Sequence, residues 1–222
     1  VNSFQKGFFR NLVALAIASA VWVLVNTTIL RQRLPDLDSA AYYMASRFSE
    51  ITGFLSMSLL FTMFPFTTDL ARAGKSTNPL VIKSSVAMIV FCLPLAAIFW
   101  LWGAPILRLL PHGAEYAPYA WIIPWMIGIA CLNSFASFYT SAEFAAARFG
   151  YLWWSVPLFL GFAAAMLGVT GYGYFAAYLP PAVTEFLRAH NITSISAYLT
   201  WMTVIEMVRV LCCAVQMRRL GQ

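Results

Sequence analysis

The chain has 222 residues, of which 61% are hydrophobic and only 10% charged. A soluble domain carries about a quarter charged residues because its outer surface meets water, so this composition excludes an ordinary water-soluble globule and points to lipid as the second solvent. The net charge of +6 would hint at nucleic acid on a soluble protein. Here the basic residues sit at the ends of apolar runs, where they act as topology signals.

Six apolar runs are predicted to form transmembrane helices, making the chain an all-α polytopic bundle in a single domain over residues 1–222. The first covers 12–30, uncharged throughout; at 1.5 Å per residue it reaches ~28 Å, close to the hydrocarbon thickness. Lys6 and Arg10 precede it, but it is too long for a signal-peptide core and lacks a cleavage site. The second covers 40–66, with Pro65 expected at its end. The third covers 84–102 with Pro94 inside, and residues 103–118, rich in Pro and Gly, read as a loop with a short interfacial helix. The fourth covers 119–141 and is interrupted by Pro124. The fifth begins at 152 and fades through Gly168, Gly171 and Gly173, with an expected end near 176. The sixth covers 197–217. Pro94, Pro124 and Pro157 can each kink a helix by removing a backbone donor.

Counting Lys and Arg on alternate sides gives an orientation. Lys6, Arg10, Arg72, Lys75, Lys83, Arg148, Arg218 and Arg219 fall on one side; Arg31, Arg33, Arg108 and Arg188 fall on the other. Both termini are therefore expected in the cytoplasm. Asn191-Ile192-Thr193 matches a glycosylation tripeptide on the outer side, a pattern common by chance.

Catalytic signatures are missing from the sequence: it has no phosphate-cradling Gly-rich loop, no His pair at zinc spacing and no nucleophile elbow. His112 and His190 are isolated, Asp36 and Asp38 flank a turn, and Cys92, Cys131, Cys212 and Cys213 match no metal or haem spacing. Neither enzyme activity, cofactor, metal nor nucleic acid is expected. The informative residues are charges inside apolar runs. Arg47 and Glu50 share one face of the second helix, and Glu206 with Arg209 repeats that spacing on the sixth. Counted from the predicted helix starts, the first pair lies ~10 and ~15 Å deep and the second ~14 and ~18 Å. A charge at that depth needs a partner or water. Either each pair neutralises itself or cross-pairs to staple the bundle, or the four line a polar cavity for a charged substrate or coupling ion. Ser46, Ser49, Gly53 and Ser56 form a small-residue stripe beside the first pair, and Asn133, Ser134, Ser137 and Ser141 a polar stripe on the fourth helix; Asn26 is a lone polar group on the first.

A family resemblance adds to this. Ala41-Tyr42-Tyr43-Met44-Ala45-Ser46-Arg47 resembles the Tyr-rich entry to the eighth helix of polysaccharide flippases. Leu60-Phe61-Thr62-Met63-Phe64-Pro65, followed by Asp69-Leu70-Ala71-Arg72 and Gly74, is similar to the family's helix end and cytoplasmic segment. Ala104 to Leu110, with Gly113 and Tyr116, resembles the outer loop after the ninth helix. The similarity covers most of residues 1–160, in apolar-rich motifs rather than invariant signatures. Ala41 stands where the family usually has Gly, and Asn26 is the nearest polar group where an acid is common. The chain thus looks like the C-terminal lobe of an O-antigen/polysaccharide exporter of the multidrug/oligosaccharidyl-lipid/polysaccharide flippase superfamily, with an N-terminal six-helix lobe missing. The resemblance implies an inner-membrane protein that flips an undecaprenyl-diphosphate-linked glycan by alternating access, with Arg47 and then Arg209 contacting the headgroup and Glu50 and Glu206 tuning them. The rival expectations are a multidrug or cation antiporter of the same superfamily and a non-transporting membrane scaffold.

Overall fold

The computed structural model describes residues 34–146, 148, 150–169 and 194–220, together with positions 13, 16, 17, 20, 21, 23 and 24, which are helical. Most of the first predicted helix, including Asn26, lies outside the described residues, as do 170–193 with His190 and the Asn191 tripeptide. Among the described residues there is no strand. The helices are α1 (Asp36–Arg72), α2 (Asn78–Arg108), the single turn α3 (Gly113–Tyr116), α4 (Ile122–Ala145), α5 (Leu152–Val169) and α6 (Ile195–Leu220), with a 3-10 turn at Ala117–Tyr119 before α4.

The chain divides into two compact units. In the first, Tyr151 is buried just before α5, Ser155, Phe159 and Ala163 are buried along it, and the start of α6 buries Ile195, Tyr198 and Leu199. The second unit, residues 40–148 and 202–222, is a bundle of α1, α2, α4 and the body of α6. On α1, the buried positions Ala41, Ala45, Thr52, Ser56, Met63 and Thr67 recur at four- and seven-residue steps, which is one helix face. Contacts fix the directions. Phe48 packs on Phe99 and the Ser84 hydroxyl donates to the Met63 sulfur, so α1 and α2 are antiparallel. Cys92 and Cys131 are neighbours, and a side chain at Gly103 would touch Ala120 at 3.2 Å, so α2 and α4 are antiparallel too. Asn78 Nδ2 donates to the Met217 carbonyl, tying the start of α2 to the end of α6.

Several helices outrun their expected limits. Pro65 lies inside α1 rather than at its end. In hydrocarbon a freed backbone group has no water to turn to, so the chain stays helical past a proline. The stop comes at Gly74 (φ 67°): Gly74 N–H bonds to the Ala71 carbonyl and Lys75 N–H to that of Leu70, a Schellman closure that needs the left-handed conformation. α2 likewise runs through Pro94 and Pro105 to Arg108, so within the expected 103–118 loop only 109–112 turn, and the short α3 and the 3-10 turn follow. There, a Cβ on Gly113 would collide with the Leu107 carbonyl oxygen. Pro124 falls in the first turn of α4, where its missing donor costs nothing.

The surface is inverted relative to a soluble protein. Phe54, Phe61, Val90, Leu93, Trp100 and Leu101 are each more than 60% exposed, while the buried positions include Thr52, Ser56, Ser84, Ser85 and Ser134. Asp36–Arg72, Asn78–Arg108, Ile122–Ala145 and Ile195–Arg218 are long and apolar enough to cross a bilayer. Such a surface is stable in acyl chains and not in water. The protein is membrane-embedded and, among the described residues, helical throughout.

Candidate functional site

α4 and α6 meet through polar side chains. Trp125 Nε1 donates to Thr203 Oγ1 at 2.8 Å. Further along, Arg209 Nη1 donates to Asn133 Oδ1 at 2.9 Å and to both Glu206 carboxylate oxygens at 2.8 Å. Both contacts advance in the same direction along the two helices, so α4 and α6 are parallel. The side chains of Arg209 and Glu206 are 11% and 5% exposed, and Cys213, one turn on, is fully buried. Ser134 and Ser137 spend their hydroxyls on the Ala130 and Asn133 carbonyls of their own helix. Asn133 reaches across to α6 while its residue stays exposed, so the buried pair has one flank near the surface.

Following the inter-helix contacts across the bundle, Asn133 and Arg209 lie level with the region of Cys92 on α2 and of Met57 on α1. That is the middle of the uncharged stretch from Ile51 to Thr68, which spans ~27 Å. Glu206–Arg209 is therefore a mid-span ion pair.

The other pair sits differently. Arg47 Nη1 meets Glu50 Oε1 at 2.9 Å, with side chains 77% and 50% exposed. It marks the upper edge of that uncharged stretch, ~15 Å along the axis from the level of Arg209. Tyr42, Tyr43, Trp100, Trp102, Trp121 and Trp125 gather at the same end, the aromatic layer expected at a membrane interface. The two pairs are thus not brought together: each neutralises itself, Arg47–Glu50 exposed and Glu206–Arg209 buried. In the adjoining small-residue stripe, Ser46 and Ser49 bond to carbonyls of their own helix, and a Cβ on Gly53 would meet nothing within 4 Å. Only Ser56 of that stripe lies on the buried face.

Sequence reading missed Glu143 because it ended the fourth helix at 141. α4 continues to Ala145, and Glu143 is 2% exposed, one turn beyond Tyr139 at 1%. Glu143 Oε2 and the Tyr139 hydroxyl find no hydrogen bond among the described residues. The Arg148 backbone N–H closes the helix on the Glu143 carbonyl. The helix-favouring Ala145 and Ala146 after Glu143 were the available signal. Among the described residues no three His, Cys, Asp or Glu side chains form a metal cluster, and His112 serves as the left-handed residue (φ 59°) of the α2–α3 turn.

No family model, curated protein or solved structure matches this chain. The site therefore has to be read from its own chemistry. A guanidinium fixed at mid-span by a carboxylate and an amide, near the surface on one flank, suits recognition of an anion or a structural tie between helices.

Proposed function

We propose that the chain is one six-helix lobe of a lipid-linked oligosaccharide flippase of the inner membrane, moving an undecaprenyl-diphosphate-linked glycan between leaflets by alternating access against a second lobe. The observation that carries this reading is Arg209, a cation held at mid-span with Asn133 open on one side. A diphosphate headgroup crossing hydrocarbon needs cations at successive depths. The bundle offers Arg47 at one interface, Arg209 ~15 Å below it, and a group of Lys and Arg at the other end. The sequence resemblance to polysaccharide flippases supports the same substrate class.

The parallel run of α4 and α6 supports the count of six. Two parallel spans require the intervening chain to return across the bilayer, and α5 is the helix available for it. The positive-inside rule assigns the end with Arg72, Lys75, Lys83, Arg148 and Arg218 to the cytoplasm.

The test is glycan export by the full-length transporter, with membrane abundance measured alongside. Arg209→Lys keeps a charge but loses the planar fork and is expected to cut export at least tenfold at normal abundance; Arg47→Ala is expected to weaken it several-fold. Export unchanged in both variants would remove the flippase assignment. The near-complete burial of the Arg209–Glu206 pair favours a second reading, a non-transporting scaffold in which the pair only ties α6 together. Under that reading an Arg209→Met/Glu206→Leu protein keeps its cellular role. An antiporter would instead show substrate-dependent proton or sodium flux that depends on a membrane acid, Glu143 or Glu206.

A further inference from the structure

One end of the α1–α2–α4–α6 bundle collects exposed cations from every helix. Arg72 closes α1, Lys75 follows the Gly74 turn, Lys83 lies near the start of α2, Arg148 follows α4, and Arg218 lies in the last turn of α6; all five are exposed. The inter-helix contacts put them within an axial band of ~12 Å. The bond from Asn78 Nδ2 to the Met217 carbonyl pins the start of α2 to the end of α6, so Lys83 and Arg218 cannot drift apart.

Arg148 lies close enough to act on the buried Glu143 carboxyl, and the other four charges face outward. None of the five makes an ion pair among the described residues, where the two pairs are Arg47–Glu50 and Glu206–Arg209. Asp69 is the one exposed acid described at this end. Three helix C-termini and one N-terminus meet here, which brings about −1 of dipole charge. Even with Asp69 and Glu143 both counted as anions, the side chains supply a surplus of three positive charges, so dipoles leave roughly two uncompensated. At the opposite end Arg47 and Arg108 are matched by Glu50 and Glu115, and Asp36 and Asp38 open α1, so no cation surplus collects there. Like charges this close repel unless an anion sits among them.

We propose that the cation-rich end is a docking surface for the anionic phospholipid headgroups of the leaflet it faces. The chemistry is one phosphodiester met by several mobile ammonium and guanidinium groups, with the lipid tails lying on the exposed apolar flanks of α1 and α2. It rests on the membrane-embedded fold and not on the flippase reading, so it survives if glycan export does not.

The test is native mass spectrometry of the full chain in detergent, titrated with short-chain phosphatidylglycerol or phosphatidylcholine. Each cation near a membrane surface contributes about fivefold to anionic-lipid affinity. Phosphatidylglycerol is expected to bind at least tenfold more tightly than phosphatidylcholine at low salt. The preference should collapse near 1 M salt, where the screening length falls to about 3 Å. R72Q/K75Q/K83Q should abolish the preference, while the charge-preserving R72K/K83R and the opposite-end R108Q should keep it. If the triple variant does not fold, K75Q alone, on an exposed turn, should lower the preference about fivefold. Selectivity that persists in the triple variant, or in K75Q, or that falls equally in R108Q, overturns the proposal.

Discussion

Arg209 shows how much one side chain can decide in a bilayer. A lone guanidinium at mid-span costs several kcal/mol; here Glu206 and Asn133 lie at 2.8–2.9 Å and offset that cost. Removing one partner leaves the other charge buried and unpaired, which costs about 3–5 kcal/mol. Arg209→Ala is therefore expected to lower the unfolding midpoint sharply in detergent, and Arg209→Met/Glu206→Leu to recover most of the loss, since apolar side chains of similar volume replace a buried pair at little cost. Equal instability of the single and double variants would mean that an unpaired buried charge is not the source of the loss. The three-residue spacing of Glu206 and Arg209 made this pair readable from the sequence. Asn133 was readable only as one member of a polar stripe, because its partner depends on the α4–α6 register, which is set by tertiary contact.

At the scale of the helices, hydrophobic runs located the spans and left their ends open. Proline was expected to end the second helix, yet Pro65, Pro94 and Pro105 all lie within helices, because an unbonded backbone group costs more in lipid than a local distortion. A left-handed residue backed by two closing hydrogen bonds ends α1 instead. Pro65→Ala is thus expected to leave the end of α1 where it is. Gly74→Ala, forced to φ near 67°, should cost about 1–2 kcal/mol and loosen amide-exchange protection over the last turn, Asp69 to Ala73. Protection that changes with Pro65 and not with Gly74 would reverse this account. The α2–α4 pairing has its own check in the neighbouring thiols of Cys92 and Cys131. With Cys212 and Cys213 replaced by Ser, a thiol oxidant such as diamide should join Cys92 to Cys131, and a protease cut between α2 and α4 should then leave the fragments linked. Separate fragments would mean a different register.

For the whole molecule, the decisive quantity is the distribution of greasy surface. Core positions hold small and hydroxylated residues such as Ala41, Thr52, Ser84 and Ala136, while Phe54, Phe61 and Trp100 face outward. Close packing through small residues is how helices associate where lipid is as apolar as leucine. Composition made the membrane class readable at once; it could not give the parallel run of α4 and α6, which depends on which faces meet. That arrangement makes a strong prediction about sidedness. In a protein freed of its native cysteines, Ser76→Cys after α1 and Arg148→Cys after α4 should react with a membrane-impermeant maleimide from the cation-rich side. Glu115→Cys after α2 and Ser196→Cys at the start of α6 should react from the other. Each of the four positions is exposed, so each outcome is informative. Labelling of Arg148→Cys and Ser196→Cys from one side would require α4 and α6 to run in opposite directions. That is incompatible with the order of the Trp125–Thr203 and Asn133–Arg209 contacts along the two helices.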